Sequence, residues 1–324
     1  MKKNILILLA SLLAFSLSSC KEQKDNDAVL RIGYLPITDC LPIYVAQEIG
    51  LFEKHGLKVD LMMASGGPEV FKELEAGAID IGFSNVVTLI KQVNAGKAYQ
   101  SVFGTTLEAE GHMTHAIVCR ANEDIKFETA NFAINALNNI EELMLLNHFK
   151  SQGLGIESSI EKQFKVVPFP QMLAALQNKE VDYACIVEPW ITIAQKDPDY
   201  FKVIGNYYPV AKDDPALVAT YVATKKTISE KKVMVNKFID VMTEATDFIH
   251  NNETAARSFM LKYIKLPEEL VTKVAIPKYG KSIEQKEWDK LIKIIYQPDL
   301  NINNAFLPKP EHKILFDDIR YRNE

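Results

Sequence analysis

Five short segments could bind a small molecule, because each lies where a loop leads into a predicted helix: residues 36–40, 65–67, 84–85, 138–139 and 169–171. In open α/β sheets, ligands lie beyond the carboxyl ends of the strands, where the next helix begins with unpaired backbone N–H groups. Glycines there let the backbone approach a ligand, and hydroxyl, amide and carboxylate groups supply further hydrogen bonds. The same residue types also cap helices and form turns, so both roles stay open. The candidate ligand-binding residues are Thr38, Asp39, Gly66, Gly67, Ser84, Asn85, Asn138, Asn139 and Gln171.

A second group of chemically active side chains lies between residues 108 and 115. His112 and His115 occur beside Glu108 and Glu110, and these are residue types that bind zinc. If the segment is a strand, alternation places the two histidines on opposite faces, so we expect no metal site. The sequence contains no nucleophile elbow, phosphate-binding loop or zinc-hydrolase motif. We therefore expect neither catalysis nor a cofactor.

Strands and helices that would position these residues alternate along the first part of the chain. The pattern predicts strands at 29–34, 57–61, 78–83 and 100–104, with helices at 42–52, 69–76 and 86–95. This alternation is typical of βαβ units and indicates a parallel sheet. After residue 208 the pattern predicts a strand at 216–224 and then helices at 229–249, 253–263, 267–273 and 283–295.

An internal repeat indicates two lobes of similar topology. Pro68-Glu69-Val70 and the stretch from Leu74 to Gly82 match Pro170-Gln171-Met172 and the stretch from Leu176 to Ala184 in register. Both copies predict a helix, a tight turn and a strand. We expect lobe 1 to comprise residues 29–110 and 220–324, and lobe 2 to comprise residues 111–219. Two crossings side by side would form a hinge beside an interlobe cleft.

The N-terminus predicts export. Lys2 and Lys3 precede an apolar run that is too short for a permanent membrane span, so residues 1–19 are interpreted as a signal peptide. Leu17-Ser18-Ser19-Cys20 resembles a bacterial lipobox, in which the cysteine is lipidated and anchors the protein to a membrane. The alternative is an ordinary cleaved signal with a chance cysteine. We expect residues 20–28, which are mostly polar after Cys20, to form a tether.

The charge and the cysteines exclude several function classes. Removing residues 1–19 takes away two of 37 basic residues and none of 42 acidic ones, so the net charge changes from −5 to −7. An acidic chain of this kind is not expected to bind nucleic acid. The three remaining cysteines, Cys40, Cys119 and Cys185, are an odd number without short spacing, and we interpret them as buried or reduced thiols.

Two N-terminal segments make the chain similar to a known family. The first runs from Gly33 to Pro42 (GYLPITDCLP) and the second from Val45 to Leu57 (VAQEIGLFEKHGL). They resemble the substrate-binding proteins of ABC importers for nitrate, bicarbonate, sulfonates and taurine, a group that also includes thiamine-precursor binders. The later Pro170-Gln171-Met172 and Glu188-Pro189-Trp190 are most similar to the nitrate and bicarbonate branch.

The resemblance implies an α/β fold of the type II periplasmic-binding-protein class, with two lobes, a hinge and an interlobe cleft. It implies a monomeric, extracytoplasmic protein that captures a small anionic or heterocyclic solute and delivers it to an ABC permease and ATPase. The alternatives are a binder of, or enzyme acting on, a thiamine-precursor-like heterocycle, and a ligand-sensing subunit.

The resemblance also adds Glu188 and Trp190 to the candidate site, and it gives Asp39 a possible role. It implies that Asp39 and Glu188 face the cleft, where a carboxylate could accept hydrogen bonds from a ligand amine or ring N–H, or could hold a loop through backbone amides. Trp190 could stack on a planar ligand or pack between the lobes. One feature departs from the family pattern, because Asn138-Asn139 stands where members often have Gly-Ser or Gly-Thr.

Overall fold

The structure of the chain is a computed structural model that describes residues 29–123, 126–154, 163–297 and 311. The signal peptide, Cys20 and the tether that the sequence predicts lie outside the described residues. Most of the predicted end of lobe 1, after residue 297, also lies outside them.

The described residues form eleven strands and eleven α-helices, joined by turns and short 3-10 helices. The strands are β1 (Val29–Tyr34), β2 (Lys58–Met63), β3 (Ile81–Asn85), β4 (Tyr99–Glu108), β5 (His115–Arg120), β6 (Phe132–Ile134), β7 (Phe164–Val166), β8 (Tyr183–Val187), β9 (Phe201–Gly205), β10 (Ala216–Thr224) and β11 (Lys278–Gly280). The helices are α1 (Leu41–Glu48), α2 (Leu51–Lys54), α3 (Gly67–Ala76), α4 (Val86–Asn94), α5 (Ile140–Ser151), α6 (Phe169–Gln177), α7 (Trp190–Lys196), α8 (Lys225–Glu230), α9 (Lys232–Asn251), α10 (Glu253–Tyr263) and α11 (Gln285–Ile295).

The strands form two separate sheets. One has the order β11-β4-β10-β3-β1-β2, and the other has the order β7-β6-β8-β5-β9. The parallel pairing expected from the βαβ units is found between β1 and its neighbours β2 and β3. However, β10 pairs antiparallel with both β3 and β4, because the chain returns from the second sheet in the opposite direction. In the second sheet, β5 pairs antiparallel with β8 and β9, whereas β6 pairs parallel with β7 and β8. Both sheets are therefore mixed, and the expectation of a parallel sheet was wrong for these antiparallel pairs.

Most predicted elements are present, with differences at their ends that have local causes. The predicted helix at 42–52 is two helices, because Gly50 adopts a left-handed conformation with φ of 71° between α1 and α2. The predicted strand at 78–83 begins only at Ile81, since the amides of Ala78 and Ile79 still bond to Glu73 at the end of α3. The predicted helix at 267–273 is a single 3-10 turn, Glu268–Leu270.

The internal repeat corresponds to equivalent structure in both sheets. In each copy a helix is followed by a turn and by a strand that pairs parallel with a neighbour: α3 leads to β3, and α6 leads to β8. The aspartate before each strand has the same role. Asp80 accepts a hydrogen bond from the amide of Arg31 (2.9 Å), and Asp182 accepts one from the amide of Asn131 (2.8 Å).

Two connecting segments run between the two sheets, and the buried carboxylate of Glu108 accepts hydrogen bonds from both of them. The first passage runs from β4 to β5 and the second from β9 to β10, which joins the six-stranded sheet from Ala216, before the expected lobe boundary at 220. Glu108, at the end of β4, accepts hydrogen bonds from the backbone amide and hydroxyl of Thr114 in the first passage and from Asn206 in the second. The position of a hinge here stays a prediction.

The core is apolar and continues through both sheets and the helices that cover them. Cys40, Cys119 and Cys185 are buried in it, as the sequence predicts. Burial raises the pKa of the Cys40 and Cys185 thiols, which keeps both protonated and unreactive. Within the described part of the chain, no helix is both long and apolar enough to cross a bilayer.

Candidate functional site

A polar cavity lies between the two sheets and is lined by residues from both. The empty space within its lining, counted together with the open solvent at its mouth, is about 380 Å³. Apolar side chains such as Phe83 and Phe169 form part of the wall. The polar lining consists of Asp39, Ser84, Asn85, His115, Asn135 and Glu141.

Asp39 lies on the 3-10 turn Thr38–Cys40, which connects the end of β1 to α1. Its side chain is almost entirely buried, with 2% of the residue exposed, and its Oδ2 atom has no hydrogen-bond partner among the described residues. Burial raises the pKa of Asp39, although the nearby His115 opposes this effect. A buried carboxylate oxygen without a partner costs free energy, so this oxygen is an acceptor available to a ligand.

His115 begins β5 and brings the passage between the sheets into the cavity. Its Nδ1 atom lies 2.7 Å from Oε1 of Glu108, and its Nε2 atom lies 3.9 Å from Oε1 of Glu141. Burial lowers the pKa of His115, but the attraction and hydrogen bond of Glu108, with the further attraction of Asp39 and Glu141, outweigh burial and raise it. Glu108, Asp39 and Glu141 therefore favour the protonated form of the imidazole.

Glu141 enters the cavity from the first turn of α5. Its Oε2 atom accepts a hydrogen bond from the side-chain amide of Asn139, which also donates to Oδ1 of Asn135 (2.6 Å). Burial raises the pKa of Glu141, partly offset by His115. Asn139 thus orients two residues that line the cavity, Asn135 and Glu141. Its own Oδ1 atom caps α5 by accepting a hydrogen bond from the amide of Glu142 (3.2 Å).

Three of the candidate residues line the cavity: Gly67 at the start of α3, Ser84 in β3 and Asn85 at the end of β3. A Cβ atom on Gly67 would lie 2.7 Å from the hydroxyl of Ser84 and 3.0 Å from Nδ2 of Asn85, so a larger residue fits here only if the Ser84 hydroxyl moves. The Ser84 hydroxyl is buried without a partner in the described structure. Oδ1 of Asn85 caps α4 by accepting from the amide of Thr88 (2.8 Å). Gly66 is adjacent, and a Cβ there would lie 3.9 Å from the Asn135 side chain across the cleft.

Glu188 and Trp190 lie behind the cavity instead of lining it. Glu188 accepts hydrogen bonds from the amide and hydroxyl of Thr192 (3.0 and 2.8 Å), and from the amide of Ala275 (3.2 Å). Glu188 therefore caps the start of α7 and links this helix to the segment that follows α10. Trp190 stacks on Phe169 with ring centroids 5.9 Å apart, and Phe169 in turn lines the cavity. Both residues support the wall.

Three other predicted site residues are not brought into the cavity lining. The backbone oxygen of Thr38 accepts a hydrogen bond from the Tyr279 hydroxyl (2.7 Å), and its buried hydroxyl has no partner in the described structure. Asn138 adopts a left-handed conformation with φ of 56°, and its backbone oxygen accepts a hydrogen bond from Lys91 of α4 (3.2 Å) across the cleft. The side chain of Gln171 is exposed on α6.

The two histidines are separated, although not for the reason that the sequence suggested. His112 lies in a turn that follows Gly111, which has φ of 78°, so strand alternation does not apply to this segment. Its Nδ1 atom lies 3.2 Å from the backbone oxygen of Ile276, while His115 points into the cavity. The described residues contain no cluster of three or more His, Cys, Asp or Glu side chains arranged to hold a metal.

Sequence reasoning missed His115, Glu141 and Asn135 as lining residues. Two of them lie where the rule for strand ends would have found them: Asn135 directly follows β6, and Glu141 lies in the first turn of α5. His115 begins a strand instead of ending one, and only the return of the chain between the sheets brings it to the cavity. The available signal was a polar residue, such as Asn135, that directly follows a short apolar segment.

The chain is similar to a curated protein of nitrate import and to a curated binding protein. It is 24% identical over 275 residues to the nitrate import ATP-binding protein NrtC of Synechocystis, covering 75% of this chain but only 38% of that protein. It is 26% identical over 252 residues to a binding protein of Brucella abortus, covering 76% of this chain and 74% of the relative. The chain thus spans less than half of the first relative and most of the second.

Solved structures show the same fold. A ligand-binding component of an ABC-type import system from Staphylococcus aureus, solved with zinc bound, superposes with a TM-score of 0.74 at 17% identity, covering 92% of this chain and 99% of that one. The aliphatic sulphonate binding protein SsuA of Escherichia coli gives a TM-score of 0.66 at 18% identity, covering 87% and 94%. The fold is therefore that of the periplasmic binding proteins, as the sequence predicts. The NMT1-like family matches residues 23–264, three quarters of the sequence, and the chain belongs to this family.

Proposed function

We propose that this protein is the extracytoplasmic solute-binding component of an ABC importer. The observation that carries the proposal is the small polar cavity, which is lined by residues of both sheets and contains buried polar atoms without partners. The names of the relatives, which include a nitrate import protein and binding proteins, support the same role. The solute classes in those names are nitrate and aliphatic sulphonate, and they are starting points for a ligand screen.

The mechanism follows from the two passages of the chain between the sheets. A solute that contacts both walls stabilises the closed arrangement, since it binds that state better than the open one. A permease can then distinguish loaded from empty protein only through this shift of populations. Glu108 ties the two passages together by its bonds to Thr114 and Asn206, and so provides a fixed point around which the lobes move.

The protein captures its solute without converting it, and this part of the proposal separates it from an enzyme with the same fold. The cavity holds carboxylates and an imidazole, but their hydrogen bonds go mainly to one another and to the ends of strands and helices. Incubating the purified protein with its bound solute and following the solute by mass spectrometry should show no conversion. Turnover would instead support the alternative of an enzyme that acts on a heterocyclic precursor.

We further propose that Cys20 is lipidated and holds the protein at a membrane as a monomer. A tethered receptor stays close to its permease and ATPase at a high effective concentration. Labelling of cells with a radioactive fatty acid should mark the wild-type protein and not a Cys20→Ser variant, which should move to the soluble fraction. Equal labelling of both proteins would contradict the anchor while leaving the binding function untouched.

Identification of the bound solute tests the function. Native mass spectrometry of protein purified from its own cells should show a bound small molecule, and the same compound should stabilise the stripped protein. A solute at one hundred times its dissociation constant should add about 2.7 kcal/mol to the free energy of unfolding. Absence of any bound molecule, together with no stabilisation across oxyanions, sulfonates and heterocycles, would contradict solute binding.

A further inference from the structure

A basic segment follows β10 in a chain that is acidic as a whole. Residues 225–237, which comprise α8 and the start of α9, contain five lysines and one acidic residue, Glu230. This local excess of four positive charges (five minus one) contrasts with the net charge of −5 for the whole sequence. Such a cluster favours a partner that carries negative charge. The lysines, which we call the basic surface, are Lys225, Lys226, Lys231, Lys232 and Lys237.

The topology places the basic surface and the cavity at opposite ends of the six-stranded sheet. β1 runs parallel to β2 and β3, and β10 runs antiparallel to β3 and β4. Thr224, the last residue of β10, pairs with Tyr99, the first residue of β4. The chain therefore enters α8 at the end of the sheet where β1 to β4 begin. The cavity residues Asp39 and Asn85 lie at the other end, where β1 and β3 finish.

Side-chain contacts hold two of the lysines at this end of the sheet. The Nζ atom of Lys231 lies 2.8 Å from the carboxylate of Asp80, the residue directly before β3, and Arg31 of β1 binds the same carboxylate at 2.9 Å. The Nζ atom of Lys237 donates a hydrogen bond to the backbone oxygen of Gly56, two residues before β2 (3.0 Å). The start of α9 is thus fixed against the amino ends of three strands.

The acidic side chains nearest to the basic surface are largely neutralised. Asp80 binds the two cations described above, and Glu75 at the end of α3 forms an ion pair with Lys97. Lys225 and Lys226, in contrast, are exposed to solvent. Val233, the next residue after the lysines that begin α9, is 59% exposed and adds an apolar side chain to this surface. Exposed lysines beside an exposed apolar side chain suit the interface of an anionic bilayer.

The chain that leads to Cys20 leaves the fold beside the basic surface. Val29, the first residue of β1, pairs in register with Lys58, the first residue of β2, and lies two residues before Arg31. Nine residues separate Val29 from Cys20 (29 minus 20), and a chain of this length spans at most about 32 Å when fully extended. A lipid on Cys20 would therefore hold this end of the sheet close to a membrane.

We propose that the basic surface rests on a bilayer that contains anionic phospholipids. The lysine ammonium groups attract the lipid phosphates, and Val233 enters the interface between headgroups and acyl chains. The anchor favours a membrane over an acidic protein as the partner, because it brings a bilayer within reach of this surface. The proposal uses the anchor of the proposed function as one support, but the lysines act whether or not Cys20 is lipidated.

This contact has a consequence for solute capture. With the amino ends of β1 to β4 against the membrane, the cavity at their carboxyl ends faces away from it, toward the incoming solute. The attraction is reversible, since it falls off within a Debye length, about 8 Å at physiological ionic strength. The loaded protein can therefore leave the bilayer surface and turn its cavity toward a permease while the anchor keeps it nearby.

Cosedimentation with vesicles tests the contact. The protein is residues 20–324 with Cys20→Ser, which carries no lipid, and the vesicles contain either phosphatidylcholine alone or equal parts of phosphatidylcholine and phosphatidylglycerol. We expect binding to the anionic vesicles at low salt, release at high salt and no binding to the neutral vesicles. Absence of binding to anionic vesicles at low salt, or equal binding to both kinds, would overturn the proposal.

Paired lysine variants identify the surface. Lys225→Gln combined with Lys226→Gln should lower the partition into anionic vesicles by about ten- to thirtyfold, since each lysine near such a surface contributes about fivefold. Lys202→Gln combined with Lys212→Gln is the matched control: both positions are exposed, the net charge changes equally, and neither residue belongs to the basic surface. Equal losses in the two double variants would contradict the assignment of the basic surface.

Quenching by nitroxide-labelled lipid headgroups tests the orientation. A fluorescent label on Val233→Cys should be quenched when anionic vesicles are added, whereas a label on Val166→Cys at the end of β7, which is similarly exposed (56%), should not. Equal quenching at both positions would overturn the orientation. Solute binding by the same proteins, followed by thermal shift, is a separate readout. Vesicle binding can thus fail while solute binding persists, so failure of this proposal is distinguishable from failure of the function.

Discussion

The Nδ1 atom of His115 lies 2.7 Å from Oε1 of Glu108, and Oε2 of the same carboxylate accepts a hydrogen bond from Asn206. One buried side chain thus joins the start of β5, the first passage between the sheets and the second passage. Because Glu108 and two of its partners, Thr114 and His115, are buried, water cannot readily replace the carboxylate in these two contacts. This residue links the stability of the protein to the charge of the cavity.

Glu108→Ala should destabilise the protein strongly. The change leaves the buried amide of Thr114, the imidazole of His115 and the side chain of Asn206 without their acceptor. We expect the free energy of unfolding to fall by about 3–5 kcal/mol, as for other broken buried charge pairs. Denaturant unfolding of the variant and the wild type measures this difference. Glu110→Ala, an exposed change in the same segment, should cost less than about 0.5 kcal/mol; equal losses in both variants would contradict the role of Glu108.

The ligand-free protein should become less stable as the pH rises from 5 to 8. Burial raises the pKa of Asp39 and Glu141, and the surrounding carboxylates raise that of His115. A raised pKa means that the folded protein binds more protons than the unfolded chain. The contribution of each group to stability is therefore fully present below its pKa in the unfolded chain. It is lost as the pH rises through the pKa of the same group in the folded protein. Thermal unfolding across this range measures the slope.

Asp39→Asn should flatten that slope and leave the ligand-free protein as stable as the wild type or more stable. The variant removes a buried negative charge whose Oδ2 atom has no partner in the described structure. Carboxylates with a lowered pKa, such as Asp80, act mainly below pH 4 and do not contribute in this window. A stability that rises between pH 5 and 8, or a slope unchanged in Asp39→Asn, would contradict the assignment.

Gly67→Ala should weaken solute binding, because the added methyl group would lie 2.7 Å from the Ser84 hydroxyl that lines the cavity. Rotation of that hydroxyl relieves the clash but removes a donor from the site, and Asn85 cannot move without losing the cap of α4. We expect about a tenfold loss of affinity for the bound solute. Gly66→Ala is the matched control, since its nearest neighbours would lie 3.9 Å away. Similar affinities of the two variants would show that Gly67 does not shape the site.

Asp80→Ala should cost more stability than Asp182→Ala, although the two residues occupy equivalent positions in the repeat. Both accept a hydrogen bond from a backbone amide, but Asp80 is more buried and binds two cations, Arg31 (2.9 Å) and Lys231 (2.8 Å). Asp182 binds Arg120 (3.2 Å). Although burial raises the pKa of Asp80, the hydrogen bonds from these two cations outweigh it and lower the pKa. We expect a loss of about 2 kcal/mol for Asp80, and Asp199→Ala, an exposed change, should have almost no effect.

The internal repeat made the two lobes and most of the helices and strands predictable from the sequence. A helix, a turn, an aspartate and a strand recur at Asp80 and Asp182, and local patterns of this kind predict two lobes and most of the elements. The antiparallel insertion of β10 was not predictable, because it depends on how the chain returns from the second sheet. The predicted carboxyl-end residues Gly67, Ser84 and Asn85 do line the cavity.

The missed site residues show where local patterns fail. Glu141 and His115 are far apart in sequence, and only the approach of α5 to β5 places their charges together. Glu188 shows the second of the two roles that the sequence left open for it, since its oxygens accept hydrogen bonds from Thr192 and from the amide of Ala275. Whether a carboxylate binds a ligand or a helix end depends on which amides the fold brings close.

Solute-dependent movement of the two sheets is the most direct test of the account. Fluorescent labels on Asp60→Cys in β2 and Val166→Cys in β7, both exposed positions, report the separation of the sheets, and Cys20→Ser prevents labelling at the predicted anchor. The buried Cys40, Cys119 and Cys185 should not react. Titration with the solute that copurifies with the protein should shorten the distance between the labels with the same midpoint as binding measured by calorimetry. Saturable binding without any change in that distance would contradict a receptor that closes around its solute.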